Sequence, residues 1–311
     1  MNTLEKLKQY TKIVADTGNL EEICQWKPEE ATTNPSLLLK AFQTKQGVLV
    51  LKKARDLAQC YYKNPDVNQI QQACAIVVAQ EILQQIPGRV SIEVSAHASF
   101  NTQQTIAFAE GLISLGRAYG TDVRRILVKI ASTWEGIQAA RYLESHEIAC
   151  NCTLIFNEIQ ALACAQAKVT LISPFVGRIY DWYRAHQLFK EGEQDPGVLS
   201  VQRIFNLLKQ QGSATEVMGA SFRNVNEILA LAGCDRLTVA PKFLKQLSEM
   251  EEEVVPQLKQ PKPLSNKSSD ITEEMFRWAL NQDPMATEKL AEGIRSFAKD
   301  EELLRQMISS L

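Results

Sequence analysis

The chain has 311 residues, with 34 Lys+Arg against 36 Asp+Glu and a formal net charge of -2. Hydrophobic residues make up 45% and charged residues 23%, a globular balance that excludes disordered, collagen-like and coiled-coil chains. No basic excess exists to neutralise a phosphate backbone, so nucleic acid is excluded as a partner class. The length accommodates one to two domains, or one α/β barrel of about 250 residues with extensions.

Short β-rich runs alternate with amphipathic stretches along the chain. Strands are expected at Lys12–Asp16 and Glu30–Asn34, followed by helical patterns at Pro35–Thr44, Val48–Tyr62 and Val67–Gln85. A third strand, Arg89–Ser95, precedes a helix over Gln103–Tyr119; a fourth, Ile126–Ala131, precedes one over Gly136–Ser145. Ala149–Phe156 leads into a helix at Glu158–Ala167, and Val169–Phe175 into a long connection with a turn expected at Asp195-Pro196-Gly197. Glu216–Arg223 and Arg236–Ala240 complete eight strands. The acidic run Glu249–Glu253 reads as a solvated helix face, and Lys259–Asp270 as an exposed loop. Ile271–Leu311 reads as two helices joined around Asp283-Pro284. This alternation predicts a single α/β domain, a (β/α)₈ TIM barrel with a core over about residues 7–245, extra crossover helices and a C-terminal helical extension over 271–311.

The N-terminal residues are polar and lack the apolar stretch of a signal peptide, and the apolar runs fall far short of a membrane span. Seven scattered cysteines form no disulfide framework, which predicts reduced thiols in a cytoplasmic protein. Cys150 and Cys152, just after His146, have no second pair at zinc-site spacing, so two buried thiols are expected there and no metal.

Lys129 lies within the apolar strand Ile126-Leu127-Val128-Lys129-Ile130-Ala131. Burial disfavours the charged form of an amine, and a neutral amine near a bound carbonyl is the starting point of Schiff-base catalysis. Alone, Lys129 fits either a buried ion pair or a nucleophile. Strand alternation places Leu127, Lys129 and Ala131 on one face. The same alternation collects Asp16, Thr32, Asn34, Ser91, Glu93, Ser95, Asn151, Thr153, Ser173, Ser221 and Arg223 toward the C-terminal strand ends, where barrel active sites lie. Arg178 and Arg223, on adjacent loops, are placed to clamp a phosphate, unless they are surface arginines paired with Asp181 or Asp235.

The motifs Val14-Ala15-Asp16-Thr17-Gly18, Ala31-Thr32-Thr33-Asn34-Pro35-Ser36, Leu127–Gly136, Ser173–Arg178 with Tyr180-Asp181-Trp182, and Gly219–Arg223 closely resemble those of the transaldolase family. So does Asp283-Pro284-Met285-Ala286 with Lys289–Arg295. The resemblance implies a Schiff-base aldolase barrel that moves a dihydroxyacetone unit from a ketose phosphate to an aldose phosphate in the pentose phosphate pathway. It implies Lys129 as nucleophile, Glu93 with Thr153 and a water as proton shuttle, and Asp16 as the base that opens the carbon chain. Asn34, Asn151 and Ser173, with Thr32 and Phe175 beside them, would hold the three-carbon unit; Arg178, Ser221 and Arg223 would hold the phosphate. No metal or organic cofactor is implied, because the protonated imine is itself the electron sink. Chains of this length in the family are often homodimers, and the resemblance extends that expectation here.

Two departures stand out. The family's third strand usually reads Glu-Val-Asp-Ala-Arg, whereas this chain has Glu93-Val94-Ser95-Ala96-His97. Loss of a neighbouring carboxylate is expected to ease ionisation of Glu93 and shift the pH dependence of activity. Asn19 and Asn157 replace the commoner Asp and Ser and read as drift. The alternatives are a fructose 6-phosphate aldolase, which tends to place a Tyr where this chain has Phe175, and a non-catalytic sugar-phosphate-binding barrel.

Overall fold

Eight parallel strands close on themselves in sequence order, with the last pairing to the first. The computed structural model describes residues 1–190, 192–262 and 270–309. The strands are β1 Lys12–Asp16, β2 Glu30–Thr32, β3 Val90–Glu93, β4 Ile126–Ala131, β5 Cys150–Ile155, β6 Leu171–Pro174, β7 Glu216–Gly219 and β8 Arg236–Val239. The expected barrel is therefore present, and β1 and β4 have the expected bounds.

The other strands are shorter than expected, and at β2, β3, β6 and β8 an expected strand residue is instead the cap position of the next helix. Asn34 leaves β2 to cap helix α3 after short helices α1 (Thr3–Leu7) and α2 (Leu20–Trp26); its side chain accepts from Leu37 N–H in α3, Pro35–Phe42. Helices α4 (Lys45–Tyr61) and α5 (Val67–Leu83) fill the long connection to β3. Ser95 does not continue β3 but enters a 3-10 turn at Ala96–Ala98, so strand alternation no longer places it beside Glu93. Helices α6 (Thr102–Ala118), α7 (Trp134–Ser145) and α8 (Glu158–Gln166) occupy the expected places. Asn19 and Asn157 prove to be the caps of α2 and α8, which accounts for both departures, since Asp, Asn and Ser serve that position about equally.

Beyond β6 the chain forms α9 (Val176–Ala185) and α10 (Pro196–Gln210). The expected turn at Asp195-Pro196-Gly197 is the start of α10: Asp195 accepts from Gly197 and Val198 N–H and the proline occupies the first turn. Helices α11 (Val225–Leu229), α12 (Pro241–Glu249), α13 (Glu273–Asn281) and α14 (Pro284–Ser309) follow. The acidic run is not a helix face. The chain turns extended at Met250 and runs back along α1, with Thr3 N–H donating to Met250 O and Glu253 paired to Lys6 at 2.5 Å. Of the expected loop Lys259–Asp270, residues 263–269 lie outside the described residues, and 259–262 and 270 lie outside helices and strands.

Alternation then sorts the side chains. Ile92, Val128, Ile130, Cys150, Cys152 and Ile172 face outward and pack beneath the helices. Val14, Leu127, Leu171 and Met218 form an apolar layer inside the barrel. The N-terminal opening is closed by an ionic network: Arg236 pairs with Glu30 at 2.8 Å, Arg89 with Glu30 and Glu216 at 2.7 Å each, and Arg236 also contacts Glu216. Beyond the apolar layer, the C-terminal half of the interior holds a second, separate set of polar side chains.

Helix α14 crosses that C-terminal end. Trp182 donates to Glu288 at 2.7 Å, the Ser36 hydroxyl donates to Asp300, and Ala96 N–H donates to Glu301 at 2.9 Å. Gly293 lets α14 pack closely there, since a Cβ would lie 2.6 Å from the end of the Leu154 side chain and 3.0 Å from an Arg178 nitrogen. None of the helices among the described residues is long and apolar enough to cross a membrane.

Candidate active site

Glu93 and Lys129 occupy the same register position on β3 and β4. Lys129 Nζ lies 3.3 Å from Glu93 Oε2 and 3.4 Å from the Thr33 carbonyl, with only 6% and 5% of the two side chains exposed. Desolvation by burial raises Glu93 above the ordinary carboxylate range; Lys129 opposes the rise, the Glu301 carboxylate adds to it, and Arg178 opposes it weakly. Asp16, half-buried at the end of β1, is also raised by desolvation, against the opposing effects of Lys129, the Thr32 hydrogen bond and Lys40. Thr32 donates to Asp16 at 3.0 Å and shares a 2.8 Å hydrogen bond with Thr238, a β8 neighbour that the sequence reading missed.

A cavity of about 300 Å³ opens above these residues. Asp16, Thr32, Asn34, Lys129, Thr153 and Ser173 form its floor and near wall; Phe175, Arg178, Ser221 and Arg223 line the far side. Two expected site residues do not line it. Glu93 sits behind Lys129, facing an adjoining void of about 10 Å³, room for one water at most. Asn151 is fully buried below, donating to Ser91 at 3.0 Å and accepting from the Ser173 hydroxyl at 2.7 Å. Glu93 Oε2 and Thr153 Oγ1 are buried without a hydrogen-bond partner among the described residues.

The local backbone explains the far wall. Ser221 is left-handed (φ 63°), and its carbonyl accepts from Gly177 N–H at 2.7 Å. A Cβ at Gly177 would lie 2.3 Å from that oxygen, so glycine is required where α9 meets the β7 loop. Because β7 ends at Gly219, Ser221 and Arg223 reach the cavity from this loop and not by strand alternation. Leu154 is also left-handed (φ 58°) at a register shift in β5, which turns it away from the barrel wall into an apolar cluster with Phe156, Phe175, Ile294 and Phe297.

The two arginines differ. Arg223 is held by Asp181 through Nε at 3.0 Å and Nη2 at 2.7 Å, the surface pairing weighed from sequence, yet its Nη1 remains directed at Ser221. Arg178, at the start of α9, lies between two aromatic faces, 5.2 Å from the Phe175 centroid and 5.5 Å from that of Phe297. Burial lowers its affinity for its proton. Asp235 pairs instead with Lys209 at 2.7 Å. Phe297 also covers Lys129, 5.7 Å from Nζ to the ring centroid. A larger open concavity, about 890 Å³, lies on the outer wall by α9, α10 and α11 and contains none of the expected site residues.

A buried lysine paired to a buried carboxylate, beside two arginines at the mouth of a closed barrel, is the arrangement of a Schiff-base aldolase. The comparisons with known proteins agree. Residues 13–308 match the transaldolase/fructose-6-phosphate aldolase family. The chain belongs to this family. It is 49% identical over 312 residues to a protein from Shewanella baltica named transaldolase, covering 99% of this chain and 98% of that one. Similar matches come from transaldolases of Vibrio parahaemolyticus, at 49% over 313 residues and 99% of each chain, and Shewanella frigidimarina, at 48% over 312 residues, 99% of this chain and 98% of that one. The chain is accordingly an enzyme, a transferase on the TIM-barrel fold.

Proposed function

We propose that the protein is a cytoplasmic transaldolase that transfers a dihydroxyacetone unit between phosphorylated sugars, from sedoheptulose 7-phosphate or fructose 6-phosphate to glyceraldehyde 3-phosphate or erythrose 4-phosphate. The observation that carries this reading is the 3.3 Å contact of Lys129 and Glu93 beneath a cavity that also holds Asp16, Arg178 and Arg223. The amine of Lys129 adds to the ketose carbonyl, giving up its proton to the adjacent Glu93. Glu93, acting through a water between it and Thr153, protonates the departing hydroxyl, and loss of water leaves a protonated imine. Asp16 removes the proton from the hydroxyl on the second carbon from the imine, the carbon that becomes the departing aldehyde. The carbon–carbon bond then breaks, its electron pair moves into the imine to give an enamine, and an aldose phosphate departs. The enamine adds to the acceptor aldehyde, Asp16 returns the proton to the new alkoxide, and water releases the product ketose with Glu93 as base.

The side chains suit these tasks. Burial raises Asp16 and Glu93, which brings each closer to the proton affinity that acid–base work near neutral pH requires. Asn34, Ser173 and Thr32 offer hydrogen bonds to the hydroxyls of the three-carbon unit, with Asn151 fixing Ser173 from below. Arg178, Ser221 and Arg223 supply a phosphate clamp. Phe175 presents no hydroxyl where the simple aldolase reading expects a Tyr, which favours transfer over free release.

Fructose 6-phosphate and erythrose 4-phosphate incubated with the protein test the reading. Formation of sedoheptulose 7-phosphate with stoichiometric glyceraldehyde 3-phosphate is expected. Release of free dihydroxyacetone at the same rate with or without acceptor would identify a simple aldolase, and binding without turnover a non-catalytic barrel.

A further inference from the structure

The C-terminal helix carries a carboxylate that the barrel itself does not need. Glu301 is fully buried, 0% exposed. One oxygen accepts from Ala96 N–H at 2.9 Å, and the other accepts from Arg305 at 2.9 Å, whose Nε in turn donates to Gln71 of α5 at 3.2 Å. Ala96 begins the 3-10 turn three residues after Glu93. Phe297, Asp300 and Glu301 share one face of α14 and touch, respectively, Lys129, Ser36 and Ala96.

We infer that Glu301 is a positioning residue for Glu93: through Ala96 it fixes the turn on which Glu93 ends, and it supplies from α14 a negative neighbour that Ser95, at the start of that turn, does not provide. The inference rests on the transaldolase reading, because it assigns Glu93 a proton-transfer task. The charged groups facing Glu93 are Lys129 from β4, Arg178 from α9 and Glu301 from α14. Two of these are cationic and oppose the rise that burial imposes on Glu93. Glu301 acts against them, so Glu93 keeps its proton to higher pH than the loss of an acidic residue at position 95 suggests. The charge arrives from a helix residue 205 positions away in sequence from Ala96. His97, the other departure, is exposed and is not part of this contact.

The test is the pH profile of kcat for transfer in wild type, Glu301→Gln, Ser95→Asp and Ser95→Asp/Glu301→Gln. Gln keeps an acceptor for Ala96 N–H while removing the charge and the acceptor that faces Arg305. The limb set by Glu93 should move to lower pH in Glu301→Gln, to higher pH in Ser95→Asp, and return toward the wild-type position in the double variant. Glu301→Ala, which loses the acceptor as well, should lower kcat about tenfold with little change in KM, as expected when a reacting group is misplaced rather than binding lost. A purely structural Glu301 would lower Tm in both Glu301 variants and leave every limb in place, which overturns the inference. If Glu301→Gln fails to fold, an unmoved limb in Glu301→Asp, which keeps the charge but draws it back from Glu93, overturns it equally. Absence of transfer by wild type would instead overturn the transaldolase reading itself.

Discussion

Glu93 and Lys129 face each other across adjacent parallel strands with their charged ends 3.3 Å apart and almost no exposed surface. A buried ion pair of this kind adds little net stability, since desolvation of both charges offsets their attraction. Its placement at the C-terminal strand ends, under a cavity edged by Arg178 and Arg223, suits the proposed Schiff-base chemistry better than a stabilising role.

Phe297 closes the site over Lys129 and Arg178. Truncation to Ala opens the imine to water, and exclusion of water is what protects a reactive intermediate from hydrolysis. Phe297→Ala should therefore raise the ratio of free dihydroxyacetone released to sugar transferred. Measuring both products with a limiting acceptor checks this; an unchanged ratio with a normal Tm would contradict it.

Asp181 orients Arg223 through two guanidinium nitrogens, but the pair is substantially exposed, with 37% and 46% of the side chains accessible. Exposed pairs contribute modestly, about 1 kcal/mol or less. Asp181→Asn should raise KM for ketose phosphates about threefold to fivefold with kcat nearly unchanged, a smaller effect than Arg223→Ala. Steady-state kinetics on both variants decides it.

At the opposite end of the barrel, Arg236 is 4% exposed and neutralises Glu30, itself 5% exposed. Arg236→Met leaves Glu30 dependent on Arg89 alone in a dry setting, which should cost about 3–5 kcal/mol in stability without altering KM. Urea unfolding, compared with transfer kinetics below the transition, separates the two effects.

Glu227, on α11, accepts from Arg223 N–H at 2.7 Å and lies against Asp195. Burial, with Asp195 adding to it, pushes its carboxyl from 4.5 up to about 7. A raised acid favours the folded state most below its unfolded value, and that contribution is lost as pH rises through 7. Glu227→Gln, which fixes the neutral form, should match wild type in Tm near pH 5 and exceed it above neutrality. A Tm difference independent of pH would show that Glu227 is not the titrating group.

Much of this site could be read from one sequence because barrel interiors obey strict alternation. Once Lys129 is assigned inward, Leu127, Asn151, Thr153, Glu93 and Ser173 follow, and the structure places them so. What alternation could not supply lies where strands end. Ser95 left the strand for a turn, Ser221 and Arg223 entered through a left-handed loop, and Leu154 turned at a register shift. Asn34 lines the cavity while also serving as a helix cap, a double use no pattern signals. Phe297 and Glu301 were missed because α14 reads from sequence only as an amphipathic helix, and nothing in its spacing says which end of the barrel it crosses. Thr238 was within reach: it shares alternation with the inward Arg236 at the end of β8.

Reductive trapping tests the central claim most directly. Borohydride added to the protein with fructose 6-phosphate should fix a three-carbon adduct, and peptide mapping should place it on Lys129, with none formed by Lys129→Met. An adduct on another lysine, or no adduct from folded protein that still performs transfer, would contradict the account.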